Sequence, residues 1–181
     1  VAKVTADVAG DTTALLNIGG HLGTYMVVVI LGLTFHSLVS LSLILRIAVQ
    51  LNPLTHLKNM SSLILTAFST SSSNATLPLT MSEIENKSGV SASIAGFTLP
   101  LGATINMNGT ALYECVAVMF ISQAYGIELS IAQQAIVVLT ALLAAVGSAG
   151  IPMAGLVMMA VVLSAVGLPL EGIGLILAVD R

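Results

Sequence analysis

Long apolar runs without charge alternate along the chain with short polar clusters. Residues 22–45 carry no formal charge, and at about 1.5 Å per residue they are long enough to cross a hydrocarbon core of about 30 Å. We therefore predict a transmembrane helix over residues 22–46, with a loop over residues 1–21 leading into it. Arg46 and Lys58 follow this helix, and the positive-inside rule places that end in the cytoplasm.

The next apolar stretch is interrupted by polar residues. A hydroxyl-rich cluster occupies residues 69–74 and Pro78 follows, so the stretch lacks the run of about 20 apolar residues that a simple span needs. Lys58 lies before it and Glu83 after it. If both flanks are cytoplasmic, the chain must enter the membrane and return. We predict a cytoplasmic-side re-entrant hairpin over residues 60–87, with its tip at the hydroxyl cluster and surrounded by protein or a water-filled cavity.

A third apolar stretch, residues 91–126, is again long enough to cross the membrane. Its middle contains Gly102, Asn106, Asn108 and Gly109, all poor helix formers. The pattern predicts an interrupted transmembrane helix.

The last long apolar stretch, residues 129–170, is uncharged and is punctuated at residues 147–152 by Gly-Ser-Ala-Gly-Ile-Pro. The flanking residues Glu128 and Glu171 are acidic, with no basic residue beside them, which favours a second re-entrant hairpin entering from the outer side. Two full crossings joined by a tight turn external to the membrane are the competing interpretation. Residues 173–181 are expected to start a truncated last helix.

The two predicted tips resemble each other. Residues 74–78 read Asn-Ala-Thr-Leu-Pro and residues 148–152 read Ser-Ala-Gly-Ile-Pro. Combined with opposite directions of entry, this similarity is what an inverted repeat leaves in a sequence, and interrupted segments in corresponding halves indicate a binding site near the midplane. The predicted fold class is an all-α membrane protein, with transmembrane helices and two re-entrant helical hairpins in an inverted repeat.

The composition agrees with this class. The chain is 56% hydrophobic and only 7% charged, with a mean hydropathy of +1.05, whereas soluble domains carry about 25% charged residues. A net charge of −3 and 4% aromatic residues argue against nucleic acid as a partner. Cys115 is the single cysteine, which excludes an internal disulfide. Because the chain starts with Val1 and ends at Arg181 directly after an apolar run, we interpret it as an internal piece of a longer membrane protein.

The sequence also lacks the common catalytic motifs. It has no Gly-rich phosphate loop ending in Lys, no His-Glu-x-x-His and no Gly-x-Ser-x-Gly elbow. We therefore predict a transporter and not an enzyme.

Both predicted tips end one helix and begin another, with Ser73 and Asn74 as candidate caps in the first and Pro152 near the first helical position in the second. Helix starts present free N–H groups and partial positive charge, so two tips that meet would form an anion site suited to a carboxylate. The alternative for the hydroxyl cluster is polar packing between helices.

The interrupted helix offers a different chemistry. Asn106, Asn108 and an unwound backbone supply neutral oxygens, which are the ligands that a hard cation such as Na⁺ prefers. Alternatively, the two amides merely satisfy a helix kink. Glu114 is the one carboxylate deep inside this stretch; it should face protein or water, and a proton-relay role is open to it.

Four segments closely resemble the sodium:dicarboxylate symporter family, which includes glutamate and aspartate transporters. They are Thr-Ser-Ser-Ser-Asn-Ala-Thr-Leu-Pro (70–78), Thr-Leu-Pro-Leu-Gly-Ala-Thr-Ile-Asn-Met (98–107), Gly-Thr-Ala-Leu-Tyr-Glu (109–114) and Ala-Gly-Ile-Pro (149–152). The resemblance implies a multi-pass protein of the plasma or inner membrane, of which this piece is most of the moving transport domain. It further implies that the hairpins gate a small carboxylate or amino-acid substrate while the domain slides like an elevator against a scaffold, in a homotrimer.

The resemblance also implies roles for individual residues. Substrate would contact the two tips and the restart of the interrupted helix, at Ser72, Ser73, Asn74, Thr110, Gly150, Ile151 and Pro152. Sodium ions would be held by Gly102, Thr104, Asn106, Asn108, Ala145, Val146 and Ser148. Met107 would couple the ion and substrate sites.

Two departures from the family pattern matter. The family usually has Asp at the position of Asn108, so we expect weaker or fewer bound sodium ions. Some relatives carry Arg at the position of Ser71, and no Lys or Arg lies between Gly89 and Asp180, which leaves the substrate unassigned. We predict a secondary symporter that carries dicarboxylates or acidic or neutral amino acids with Na⁺. A proton-coupled dicarboxylate carrier and a non-transporting membrane fragment are the alternatives.

Overall fold

The computed structural model describes residues 12–148, 150–177 and 179–180, with side chains from residue 20 onward. All regular secondary structure in this part of the chain is helical, so the prediction of an all-α protein is confirmed. The helices are α1 (Thr12–Phe35), α2 (Pro53–Asn59), α3 (Ser61–Thr70), α4 (Ser73–Ser88), α5 (Ala92–Ile105), α6 (Asn108–Ala124), α7 (Ile131–Gly147), α8 (Ala154–Ala165) and α9 (Ile173–Ile176). A short 3₁₀ segment, Leu170–Gly172, precedes α9.

Helix α1 is longer than the hydropathy pattern predicts. It starts at Thr12, within the predicted loop of residues 1–21, of which residues 1–11 lie outside the described part. Beyond Phe35 the helix continues through π-helical and α-helical turns to residue 49. The difference arises because hydropathy locates the part of a helix that suits lipid, whereas backbone hydrogen bonding extends past it. Gly20–Val49 is the one helix among the described residues that is long and apolar enough to cross a membrane.

The first predicted hairpin is formed by α3 and α4, which pack against each other. Ser71 adopts a left-handed conformation with φ of 49°, and the Ser72 hydroxyl accepts a hydrogen bond from the Ala75 N–H at 3.2 Å. The N-cap of α4 is therefore Ser72, whereas Ser73 and Asn74 are already helical. Pro78 lies inside α4 without ending it. The hydroxyl cluster, and not the proline, makes the break.

The interrupted helix consists of α5 and α6. Asn106 and Met107 lie between them with φ,ψ values of −96°, 59° and −102°, 50°, neither of which is helical. Gly102 lies within α5 and Gly109 within α6, so these two glycines do not break the helix.

The second predicted hairpin is formed by α7 and α8, which pack against each other and against α6. A capping box between Ser130 and Gln133 starts α7. Helix α8 begins at Ala154, after a left-handed Met153 with φ of 64°. Pro152 therefore precedes the helix, in the turn, and does not occupy its first position.

The core lies where α6, α7, α8 and α9 meet. Val118 and Ile121 of α6 are fully buried there with Met159 and Leu163 of α8. By contrast, the outer faces of α1 and α3 expose many large apolar side chains; Phe68, for example, is 86% exposed. Apolar faces of this kind indicate contact with lipid or with further protein.

Candidate functional site

The break between α3 and α4 is in contact with the break between α7 and α8. The carbonyl oxygen of Gly150, between α7 and α8, accepts a hydrogen bond from the Ser72 hydroxyl at 2.7 Å and another from the Asn74 N–H at 3.0 Å. Ser72 and Gly150 are both buried. The tips that resemble each other in sequence are therefore in direct contact, with polar groups satisfying one another. The depth of the tips in the membrane stays a prediction.

The close approach at Gly150 favours glycine there. A Cβ atom at this position would lie 2.9 Å from the Asn74 Oδ1 atom and 3.1 Å from the Ala103 carbonyl oxygen. Both distances are shorter than ordinary contacts of a methyl group. The second tip is therefore held tightly against the first tip and against α5.

The first tip is braced by its own hydroxyl groups. The Thr76 hydroxyl donates to the Ser72 carbonyl oxygen at 2.7 Å, and the hydroxyls of Thr70 and Thr76 are 3.1 Å apart. These bonds link the end of α3 to the start of α4. Part of the hydroxyl cluster therefore serves structure, as the alternative of polar packing predicts, while Ser72 makes the contact between tips.

A cavity of about 770 Å³ lies beside the tip contact, between α1, both tips and the start of α6. Its wall contains seven of the predicted site residues, namely Ser72, Ser73, Met107, Thr110, Ser148, Gly150 and Ile151. Asn74 and Pro152 do not line the cavity; Asn74 takes part through its backbone bond to Gly150. The remaining predicted ion ligands, Gly102, Thr104, Asn106, Asn108, Ala145 and Val146, also lie away from the wall.

Three helices begin at this wall. Ser73 is the first residue of α4, Thr110 lies in the first turn of α6, and Ala154 starts α8. The first N–H groups of a helix have no partner within it and carry partial positive charge. Two such groups of α4, those of Asn74 and Ala75, are already bonded to Gly150 and Ser72. The starts of α6 and α8 leave more donors for a carboxylate.

The predicted ion ligands surround the α5 break and the end of α7. The Asn106 N–H donates to the Gly102 carbonyl at 3.0 Å, and the Ser148 N–H donates to the Ala145 carbonyl at 3.2 Å. Each carbonyl keeps a second lone pair for a cation. The Ser148 hydroxyl is buried without a hydrogen-bond partner among the described residues. Helices α5 and α7 pack against each other, so the two sets are neighbours.

The ligand chemistry here is that of neutral oxygens. Among the described residues no cluster of three or more His, Cys, Asp or Glu side chains could hold a metal ion. This donor set suits Na⁺, which binds carbonyl, amide and hydroxyl oxygens.

Tyr25, Tyr113 and Asp180 are functional candidates at the cavity that the sequence did not indicate. The Tyr113 hydroxyl donates to the Asp180 carboxylate, and Tyr25 of α1 also lines the cavity. Tyr113 could have been found, because it follows Thr110 by one helical turn and so lies on the same face of α6. Tyr25 and Asp180 carry no local signal, since only the packing of α1 and of the chain end brings them to the site.

Glu114 lies away from the cavity wall. Its side chain is fully buried, and neither carboxylate oxygen has a hydrogen-bond partner among the described residues. A carboxylate in such surroundings is costly unless it is protonated or paired.

Interrupted helices around a cavity whose mostly apolar wall carries several hydroxyl groups, in a chain this apolar, are typical of secondary transporters. Residues 1–181 match the family profile described as "Sodium:dicarboxylate symporter family". The chain belongs to this family, which confirms the assignment made from the sequence segments.

Several curated relatives are similar over most of the chain. "Excitatory amino acid transporter" of Caenorhabditis elegans is 50% identical over 159 residues, which are 88% of this chain and 32% of the relative. "Excitatory amino acid transporter 3" of Mus musculus is 52% identical over 159 residues, or 88% of this chain and 30% of the relative. "Excitatory amino acid transporter 1" of Homo sapiens is 47% identical over 163 residues, or 90% and 30%.

The chain spans about a third of the length of these relatives. The family and the relatives are transporters and not enzymes. The chain is therefore part of a multi-pass membrane protein of a symporter family.

Proposed function

We propose that this chain forms the substrate- and ion-binding part of a sodium-coupled symporter for dicarboxylates or acidic or neutral amino acids. The observation that carries the proposal is the contact between tips, in which the Gly150 carbonyl accepts bonds from both Ser72 and Asn74 beside a cavity. A removable contact at the wall of a binding cavity is what a gate requires.

In this proposal the substrate carboxylate binds at the helix starts around the cavity. Ser73 and Thr110 offer hydroxyl groups on the wall, and the N–H groups at the starts of α6 and α8 add donors. The second tip, with Gly150, Ile151 and Pro152, is the outer gate. Ser72 and Asn74 are its partners on the first tip.

Sodium binds at the α5 break and the end of α7. One ion takes oxygens from Gly102, Asn106 and Asn108. Another takes oxygens from Thr104, Ala145, Val146 and Ser148, where the unpartnered Ser148 hydroxyl supports the proposal. Met107 lines the substrate cavity and also lies in the break between α5 and α6. A shift of Met107 on ion binding therefore changes the shape of the substrate cavity.

The proposed arrangement in the membrane follows the sequence patterns. Both hairpins are re-entrant, the first from the cytoplasm and the second from outside, and the domain moves as an elevator within a homotrimer. The exposed apolar faces of α1 and α3 support contact with lipid or with a scaffold.

Proton coupling is the second candidate. The unpartnered, buried carboxyl group of Glu114 favours it, because a protonated carboxyl group needs no counter-charge. The neutral Asn108 favours it as well, since it offers a sodium ion less charge than the usual Asp.

Uptake by the complete gene product in sealed vesicles tests these functions. Radiolabelled succinate, aspartate, glutamate and serine are offered under an inward sodium gradient, under a proton gradient and under neither. We expect sodium to drive uptake of at least one of them. Uptake that follows only the proton gradient would favour proton coupling over sodium coupling. Absence of uptake under both gradients would support a non-transporting protein.

A further inference from the structure

A second cavity, of about 520 Å³, lies between α1, α6 and α9. We name it the lateral cavity, and its wall includes Tyr25, Val28, Val116, Phe120 and Gln123. It takes no part in the function proposed above. Tyr25 lines both this cavity and the one beside the tips.

The lateral cavity has one polar end and one apolar end. Helices α1 and α6 are antiparallel, because Leu33 contacts Gly109 whereas Tyr25 packs against Phe120. His21 and Thr24 therefore lie opposite Gln123 at one end. Val28 lies opposite Val116 at the other.

No charged residue lines the lateral cavity among the described residues. An ionic or zwitterionic ligand would lose its hydration there without gaining a counter-charge. A neutral ligand with one polar head satisfies both ends, since His21, Thr24 and Gln123 offer hydrogen bonds only at the polar end.

Two aromatic rings form part of the wall. The ring centroids of Tyr25 and Phe120 are 4.9 Å apart with an interplanar angle of 31°, and Tyr25 is almost fully buried. Rings held in this way present a broad, rigid apolar surface. Such a surface favours a ligand with a ring body over a flexible chain, because a rigid body loses less conformational freedom on binding.

The surroundings of the lateral cavity indicate that its ligand comes from the bilayer. Val27, Val28 and Leu31 on the same part of α1 are about half exposed or more, so an apolar helix face leads to the cavity. We propose that the lateral cavity binds a neutral membrane lipid with a fused-ring body and one hydroxyl head, the chemistry of a sterol. The hydroxyl lies at the His21 end and the rings lie against Tyr25 and Phe120.

Photolabelling of the complete gene product in vesicles tests this proposal without depending on transport. The probe is a cholesterol analogue with a diazirine on its ring system, and labelled peptides are identified by mass spectrometry. We expect label on the α1 and α6 segments that line the lateral cavity, and a loss of this label when excess cholesterol is added. A diazirine-bearing fatty acid, which is charged and flexible, can label the lipid-facing side of α1 but should not label the α6 residues of the cavity wall.

Val28→Trp fills the cavity, and we expect labelling of α6 to fall about tenfold because the indole occupies the ligand's space. Leu38→Trp is the matched control, since Leu38 is exposed further along the same helix and lines neither cavity; its labelling should stay at the original level. Should Val28→Trp fail to fold, Gln123→Leu removes a polar partner at an exposed position and should reduce labelling severalfold. Labelling that is equal in the filled variant and its control, or that cholesterol does not compete away, would overturn the proposal.

Discussion

The hydroxyl of Ser72 donates a hydrogen bond to the carbonyl oxygen of Gly150 at 2.7 Å, although 78 residues separate the two in sequence. The same hydroxyl accepts the Ala75 N–H and so caps α4. One side chain therefore starts a helix and holds the opposite tip. Its position after a left-handed Ser71 makes both bonds possible.

Gly150→Ala should separate the tips. The added methyl group would lie 2.9 Å from Asn74 Oδ1 and 3.1 Å from the Ala103 carbonyl, and overpacking of this kind costs about 1–3 kcal/mol. We expect uptake by the complete gene product to fall about tenfold. Gly147→Ala is the control, because a Cβ there meets nothing within 4 Å. Equal uptake by the two variants would show that the tip contact is not part of the gate.

Ser72→Ala should weaken both the cap and the contact between tips. Loss of a serine cap costs about 1 kcal/mol, and the Gly150 carbonyl loses one of its two donors. We expect a lower thermal unfolding midpoint in detergent and a wider distance distribution between spin labels on the two hairpins. Ser69→Ala is a suitable comparison, because the Ser69 hydroxyl bonds only within its own helix. An unchanged distance distribution in Ser72→Ala would count against the proposed role.

Asn108→Asp should strengthen sodium binding. A carboxylate close to a cation in a partly dehydrated site attracts it more strongly than an amide does. We expect the sodium concentration for half-maximal uptake to fall about tenfold. Asn86→Asp adds the same charge at an exposed position on α4 and should leave the sodium dependence unchanged. Identical sodium dependence in Asn108→Asp and the original protein would contradict the assignment of Asn108 as a ligand.

Gly172→Ala should destabilise the core without acting on the gate. A Cβ at Gly172 would lie 2.4 Å from the Ile121 Cγ2 atom, and Ile121 is fully buried. We expect the free energy of unfolding to fall by about 1–3 kcal/mol. In a double-mutant cycle, Ile121→Ala should partly relieve this loss, since it removes the methyl group that clashes. Gly23→Ala, with open space at its Cβ, provides the baseline, and additive effects would argue against the clash.

The topology of the second hairpin can be tested by cysteine labelling in a Cys115→Ala background. If the hairpin is re-entrant, cysteines at Ser130 and Glu171 should both react with an impermeant reagent from outside. A cysteine at Ile151 should not react freely from the cytoplasm. Free reaction from that side would favour two full crossings and rule out the inverted repeat.

Much of the fold could be predicted because apolar runs and helix breakers act locally. The breaks at Asn106 and at residues 147–152 are such cases, since amides and glycines there weaken the helix wherever the chain is placed. The exact ends of the helices could not be predicted in this way. Ser72, Ser73 and Asn74 are all good caps, and only the left-handed turn at Ser71 decides among them.

Some residues of the candidate site could also be predicted from the sequence, and others could not. Ser73, Thr110 and Gly150 lie in sequence segments typical of the family, and all three line the cavity. Tyr25 and Asp180 belong to no such segment; they reach the cavity only because α1 packs along α6 and the chain end returns to Tyr113. Contacts between elements distant in sequence cannot be read from local patterns.

The Gly150 carbonyl has two lone pairs, and both are engaged by donors on the same short segment. Parting the tips therefore has to break both bonds. At about 0.5–1.5 kcal/mol for each bond, the two bonds together favour the closed arrangement by about 1–3 kcal/mol. A contribution of this size favours the closed arrangement, yet it is small enough for thermal motion to overcome.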